Sequence, residues 1–145
     1  MYKRQLADNT VFVFTTDNGT AAGAGKRKNE DGVWRGFNAG MRGKKGSEYD
    51  GGHRVPFFVR WPKGGVGGGR DLRALAAHVD VMPTLTELCG LKPVPAAPGD
   101  GASFAGALRG AEPAPLYGRT LFVHSQRVEH PRKWRKSAVL SLIHI

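Results

Sequence analysis

Short apolar runs alternate along this chain with glycine-rich and polar stretches. "NTVFVFTTDNG", "RVPFFVRWP" and "RTLFVHSQ" each contain an apolar core of strand length, and "RKWRKSAV" resembles the beginning of a fourth strand. The first run is wholly apolar, which is typical of a strand buried on both faces of a parallel sheet. The pattern therefore predicts several short strands.

Two segments between the strands predict helices. "VMPTLTELCG" carries Pro83 near its first turn and Gly90 at its end, and Asp80 precedes it as a possible N-cap. "FAGALRG" predicts a shorter amphipathic helix that Gly110 ends. Strands separated by helices and long loops indicate an α/β fold.

The segment from Thr20 to Gly52 shows little periodicity and is punctuated by glycines. A loop this long inside a compact domain is usually functional or disordered. The Pro-rich stretch "LKPVPAAPGDGAS" predicts a second surface loop.

Composition excludes several classes of protein. The 145 residues carry a formal charge of +10, but no nucleic-acid motif accompanies the scattered basic residues, so we expect no nucleic-acid partner. No apolar run is long enough to span a membrane. The single cysteine, Cys89, excludes an internal disulfide framework, and its helical context predicts a small buried side chain.

The two ends resemble the translated end of a sequencing adapter. "MYKRQ" and "LSLIH" can be encoded by DNA strings that are reverse complements of each other. We therefore expect residues 1–5 and 140–145 to be adapter-derived and residues 6–139 to be the native part of the chain, cut at both ends. Different codons at either end of the source DNA would contradict this hypothesis.

Asp17 and Asn18 directly follow the first predicted strand. Open α/β sheets bind ligands beyond the carboxyl ends of their strands, and carboxylate and amide oxygens suit Ca²⁺ or Mg²⁺. Asp-Asn-Gly also favours a simple turn, and this segment alone favours the turn.

The second candidate segment is "MRGKKGSEYDGGHRVP". Glycines flank Lys44 and Lys45, so the backbone can approach a ligand closely and an ammonium group can hold an oxyanion. A solvated basic loop is the alternative. His53 could be a ligand or a proton donor, although a histidine in such a loop is more often structural or exposed. Arg54 could pair with Asp50 or with Glu48 to fix the loop.

Five blocks in this order together resemble the sulfatase family. They are the strand with "TDNG", the glycine-rich loop, "RGKKGSEYDGGHRVPFFVRWP", "HVDVMPTLTELCG" and "DGASFAGALRG". The C-terminal stretch "LFVHSQRVEHPRKWRKSAV" resembles bacterial arylsulfatase-like members in particular. The resemblance covers nearly all of residues 6–139 and corresponds to the later part of the catalytic domain.

This resemblance implies a fold, a reaction and a set of site residues. The fold would be part of an alkaline-phosphatase-like mixed β-sheet with flanking helices, truncated at both ends. The activity would be hydrolysis of sulfate esters by a formylglycine with Ca²⁺ or Mg²⁺. Asp17 and Asn18 would be metal ligands, and Lys45 would contact the sulfate, with Lys44 as the alternative. The substrate would be a sulfated small molecule or glycan, and the parent protein would be periplasmic or secreted.

The sequence departs from the family in several respects. The early paired aspartates of the family and the histidine and lysine that assist proton transfer are missing from these 145 residues. The nucleophile motif, Cys or Ser followed by x-Pro-x-Arg, is absent, and "CGLKP" around Cys89 does not match it. We therefore expect the intact parent to be a sulfatase and the isolated chain to be inactive. A phosphoesterase or phosphonate hydrolase of the same superfamily and a non-enzymatic module that binds polyanionic glycans are the alternatives.

Overall fold

The computed structural model describes residues 6–21, 36–92 and 99–141. They form two compact units. The first contains residues 6–14, 58–92, 99–121 and 141, and the second contains residues 15–21, 36–57 and 122–140. Residues 1–5 and 142–145 lie outside the described residues, so the adapter hypothesis stays a prediction.

Four strands and three α-helices are described. They are β1 (Phe12–Thr15), α1 (Asp50–His53), β2 (Phe57–Arg60), α2 (Val81–Leu88), α3 (Ala105–Leu108), β3 (Thr120–His124) and β4 (Ser137–Ser141). Short 3-10 helices cover Ala7–Asn9, Pro62–Gly64, His78–Asp80 and Ala114–Leu116. The four predicted strands and both predicted helices are therefore confirmed, whereas α1 was not predicted.

The strands pair in two small sheets, β1 with β2 and β3 with β4. Phe12 and Phe14 remain 50% and 51% exposed, so the prediction that this first strand is buried on both faces is wrong for the described structure. Phe14 instead contacts Phe58 of β2, with ring centroids 6.1 Å apart. Mixed strands and helices agree with the α/β class, while the larger mixed sheet stays a prediction.

The core of the first unit lies where α2 and α3 meet the segment after β2. Its buried members are Val66, Leu88 and Ala105, and the partly buried side chains packed against them are Val59, Trp61, Leu85 and Leu108. Arg109 covers this core from α3, since its Nε donates to the carbonyl of Gly64 at 3.0 Å and its Nη2 to that of Leu88 at 3.3 Å.

Asp80 is fully buried and accepts three hydrogen bonds through its carboxylate. The donors are the backbone N–H of Ala77 at 2.7 Å, the backbone N–H of Ala102 at 2.8 Å and Nη1 of Arg119 at 2.8 Å. Asp80 precedes α2 as predicted, but its side chain does not cap that helix. The capping prediction is wrong because the carboxylate binds residues from two distant segments instead.

Helix α2 ends as the sequence predicts. Gly90 has a φ of 64°, and the N–H of Leu91 donates to the carbonyl of Thr86 at 2.9 Å. Cys89 follows the last helical residue and is exposed, so the prediction of a buried cysteine is wrong. Leu88 takes the core position at this end of the helix.

The Tyr117 hydroxyl donates a hydrogen bond to the Glu112 carboxylate. This bond raises the pKa of the phenol, because the neutral form is the one that can donate.

The second unit depends on backbone segments that approach each other through glycines. The N–H of Gly19 donates to the carbonyl of Gly52 at 3.0 Å, and the N–H of Lys45 donates to the carbonyl of Thr20 at 3.0 Å. A Cβ atom at Gly19 would lie 1.9 Å from the carbonyl oxygen of Gly51. Only glycine therefore fits this position without backbone movement.

Among the described residues, the structure contains no helix with the length and apolar character needed to cross a membrane.

Replacement of Asp80 by alanine should lower the free energy of unfolding by about 3–5 kcal/mol, because it leaves Arg119 and two backbone N–H groups without their acceptor. Urea unfolding followed by circular dichroism measures this change. Asp8→Ala is the matched control, since Asp8 forms an exposed ion pair with Arg60 at 3.1 Å and should cost less than about 1 kcal/mol. Equal losses in the two variants would contradict the structural role of Asp80.

Gly19→Ala should destabilise the second unit by about 1–3 kcal/mol, because the added methyl group overlaps backbone atoms. Hydrogen exchange of the Lys45 amide, read by NMR, should become faster. Gly67→Ala is the control, since a Cβ there meets no atom within 4 Å. Unchanged exchange in Gly19→Ala would show that the close approach does not hold the lysine loop.

Candidate functional site

Asp17 and Asn18 lie in the bend directly after β1. The hydroxyl of Thr16 donates to the carbonyl of Asn18 at 3.1 Å, and this bond shapes the bend. Asp17 is exposed and Asn18 is half-buried. Within the described part of the chain, their side-chain oxygens have no hydrogen-bond or ion-pair partner, so these oxygens are available to a ligand.

Lys44 and Lys45 lie in a turn between two glycines with positive φ, Gly43 at 87° and Gly46 at 80°. Ser47 closes this turn, since its Oγ accepts from the N–H of Lys44 at 3.1 Å and its own N–H donates to the carbonyl of Lys44 at 3.0 Å. Both lysine side chains are exposed. The Lys45 amide is bonded to Thr20, two residues after Asn18, so the backbone of the lysine turn lies beside the Asp-Asn bend.

The two glycines of α1, Gly51 and Gly52, contact the backbone of the lysine turn. The N–H of Gly51 donates to the carbonyl of Arg42 at 2.8 Å, and a Cβ at Gly52 would lie 2.7 Å from the carbonyl oxygen of Lys44. The guanidinium of Arg42 also lies 3.8 Å from the ring centroid of Tyr49. These contacts fix both ends of the loop that presents the two lysines.

His53 and Arg54 contact their own loop. The Nε2 atom of His53 lies 3.2 Å from the carbonyl oxygen of Glu48 and 3.9 Å from a carboxylate oxygen of Asp50. Arg54 forms an ion pair with Asp50 at 3.8 Å, which confirms one of the two predicted pairings. These distances give both side chains a role in the structure of the loop.

Asn38 is a site residue that sequence reasoning missed. It is buried, and its Nδ2 donates to the carbonyl of Met41 and, at 3.2 Å, to the carbonyl of Gly43. These bonds hold the turn that leads into the lysines, with Ala39 at a φ of 52°. In the sequence, "NAG" is typical of an ordinary turn. The one signal for the role of Asn38 was the tendency of such turns to place a residue in the left-handed region.

The donor chemistry of Asp17 and Asn18 fits a hard divalent cation. One carboxylate and one amide oxygen are adjacent in sequence and free of partners within the described residues, but Ca²⁺ takes six to eight oxygens. The described residues contain no cluster of three or more His, Cys, Asp or Glu side chains that could hold a metal ion. Asp17 and Asn18 can therefore supply only part of a coordination shell.

Comparison with known proteins identifies the family. The family model described as "Sulfatase" matches residues 2–91, which is more than half of the chain. Human steryl-sulfatase is 32% identical over 86 residues, which are 59% of this chain and 14% of that protein. An N-acetylgalactosamine-6-O-sulfatase of Bacteroides thetaiotaomicron is 41% identical over 63 residues, 40% of this chain and 12% of that protein.

Human arylsulfatase D is similar over a longer stretch. It is 30% identical over 131 residues, which are 90% of this chain and 21% of that protein. The chain thus spans about a fifth or less of the length of these relatives. The matched region contains both the Asp-Asn bend and the lysine turn, and the chain belongs to the sulfatase family.

Proposed function

We propose that this chain carries part of the active site of a sulfuric ester hydrolase, in which Asp17 and Asn18 hold a divalent cation and Lys45 contacts the sulfate. The observation that supports this most directly is the pair of backbone bonds from Gly19 to Gly52 and from Lys45 to Thr20, both 3.0 Å long. They join a loop with oxygen donors to a loop with two lysines that form no ion pair among the described residues. A sulfate ester needs both kinds of group beside each other.

The cation would be Ca²⁺ or Mg²⁺. When bound, it would polarise the sulfate oxygens and stabilise negative charge there. Asp17 would offset part of its charge, while Asn18 would add an oxygen without adding repulsion between anionic ligands.

Lys45 is the better of the two lysines for the sulfate contact. Its N–H is bonded to Thr20 beside the Asp-Asn bend, whereas the backbone of Lys44 is engaged with Ser47. The Lys45 ammonium group would stabilise the negative charge on the sulfuryl oxygens. Lys44 remains the alternative.

The nucleophile is not among these residues. No Cys or Ser is followed by x-Pro-x-Arg in the 145 residues. The exposed Cys89 is followed by Gly-Leu-Lys, and its sequence does not fit the motif. The formylglycine would therefore come from elsewhere in the whole enzyme. The substrate would be a sulfated small molecule or glycan, in line with relatives named for steryl and N-acetylgalactosamine sulfates.

Titration of the 145-residue chain with Ca²⁺ should shift the amide NMR signals of residues 17–19, with a dissociation constant on the order of millimolar because two side chains fill only part of the shell. Asp17→Asn should weaken binding at least about tenfold, since it removes the only carboxylate of the pair. Asp71→Asn is the control, because Asp71 is also exposed and lies in the first unit. Equal affinity of Asp17→Asn and the unmodified chain would refute the metal assignment.

The purified chain should not hydrolyse an aryl sulfate above the uncatalysed rate, because it lacks the residue that attacks sulfur. A chromogenic aryl sulfate assay with a full-length sulfatase as positive control measures this. Turnover that is lost in Asp17→Asn would overturn the proposal that the nucleophile lies elsewhere.

A further inference from the structure

An open groove in the second unit begins at Lys45. Its volume is about 440 Å³, and its lining consists of Lys45, Gly46, Ser125, Arg127, Val128 and Lys136. An adjoining groove of about 270 Å³ shares three of these residues and adds others, including Arg132 and Arg135. Between 82 and 91 residues separate Lys45 from Arg127, Arg132, Arg135 and Lys136 in the sequence, so only the fold brings them together.

The segment 125–136, here called the basic loop, is held in shape by its own hydrogen bonds. The N–H of Ser125 donates to the carbonyl of Lys136 at 2.9 Å, which closes the loop at the ends of β3 and β4. Inside it, the Gln126 side chain accepts from the N–H of Arg132 at 2.9 Å and donates to the carbonyls of Arg132, at 2.8 Å, and Arg135. The backbone beneath Arg127 and Lys136 is therefore ordered by specific contacts.

Among the described residues, the cations of this groove form no ion pair. Glu129 is the one acidic residue between Ser125 and Lys136. Within the described part of the chain, the ion pairs involve Asp8, Asp50 and Asp80, and none includes Lys45 or a cation of the basic loop. A groove with several unpaired cations attracts anions, because their fields add.

We propose that Arg127 and Lys136 form a subsite for a second anionic group of the substrate, next to the sulfate contact at Lys45. This inference rests on the proposed function. The substrate class is then a sulfated saccharide that carries at least one further sulfate or carboxylate.

The lining of the groove argues against an apolar substrate such as a sterol. Sites for apolar ligands are lined mainly by hydrophobic and aromatic side chains. Of the six residues that line the groove at Lys45, only Val128 has an apolar side chain, and three carry a positive charge. An extended, hydrated saccharide with several charged groups fits an open groove of this kind better than a compact apolar ligand such as a sterol.

The test compares two synthetic disaccharides of one scaffold, one with a single sulfate and one with two. Binding of each to the 145-residue chain is measured by NMR titration at low salt. The disulfated ligand should bind about three to ten times more tightly than the monosulfated one, which exceeds the statistical effect of two equivalent sulfates. Arg127→Gln with Lys136→Gln should reduce that preference to the statistical effect alone. It should weaken the monosulfated ligand by a smaller factor than the disulfated one, because the summed field of the groove also falls.

Lys63→Gln with Lys92→Gln is the matched control, since it removes two exposed cations that lie in the first unit. This variant should retain the preference. Three results would each overturn the second-anion subsite. The unmodified chain could show no preference for the disulfated ligand, the preference could survive in Arg127→Gln with Lys136→Gln, or the control variant could lose it equally. Lys45→Gln tests the proposed function separately, because it should weaken both ligands. An unchanged affinity for the monosulfated ligand would refute the sulfate contact while leaving the subsite result intact.

Discussion

The close approach of Gly19 to Gly51 and Gly52 is the constraint on which the candidate site depends. A Cβ at Gly19 would overlap the carbonyl of Gly51, and a Cβ at Gly51 would lie 2.4 Å from that of Gly43. The Asp-Asn bend and the lysine turn are therefore held together by main-chain atoms. Side chains at these glycine positions would keep the segments apart. Among the described residues, the side chains of Asp17, Asn18, Lys44 and Lys45 have no hydrogen-bond or ion-pair partner, so they are available to a ligand while backbone atoms join the two loops.

The sequence predicted the regular elements well because their patterns are local. Local sequence specifies the conformation of β1 before Asp17, of β2 around Phe58 and of the end of α2 at Gly90. It could not predict the partners of Asp80, since Ala102 and Arg119 lie 22 and 39 residues away and no periodicity links them. The exposure of Cys89 was missed for a related reason. A helical context alone does not determine which face of α2 packs against the core.

The candidate site shows the same division. Asp17 and Asn18 alone favoured a turn, and the lysine segment alone left a solvated loop as the alternative to an oxyanion contact. Only their joint resemblance to a family connected the two segments. The structure adds the backbone bonds between these loops and the buried Asn38, whose role depends on carbonyls that become neighbours after folding. The basic residues looked scattered along the chain. The fold places Lys45, Arg127 and Lys136 around one groove. The net charge of +10 does not show that these cations are concentrated there.

This concentration of positive charge has a consequence for the order of binding. A divalent cation at Asp17 and Asn18 would raise the positive potential near Lys45, and an anion on Lys45 would lower it. Each ligand would therefore improve the affinity of the other, and linkage requires that the two effects be equal in free energy. The carboxylate of Asp17 would limit the repulsion between the cation and Lys45 in the absence of substrate. The cation would thus bind weakly while the groove is empty and more tightly once a sulfate ester is bound. The cation and Lys45 would then both be in place when negative charge develops on the substrate.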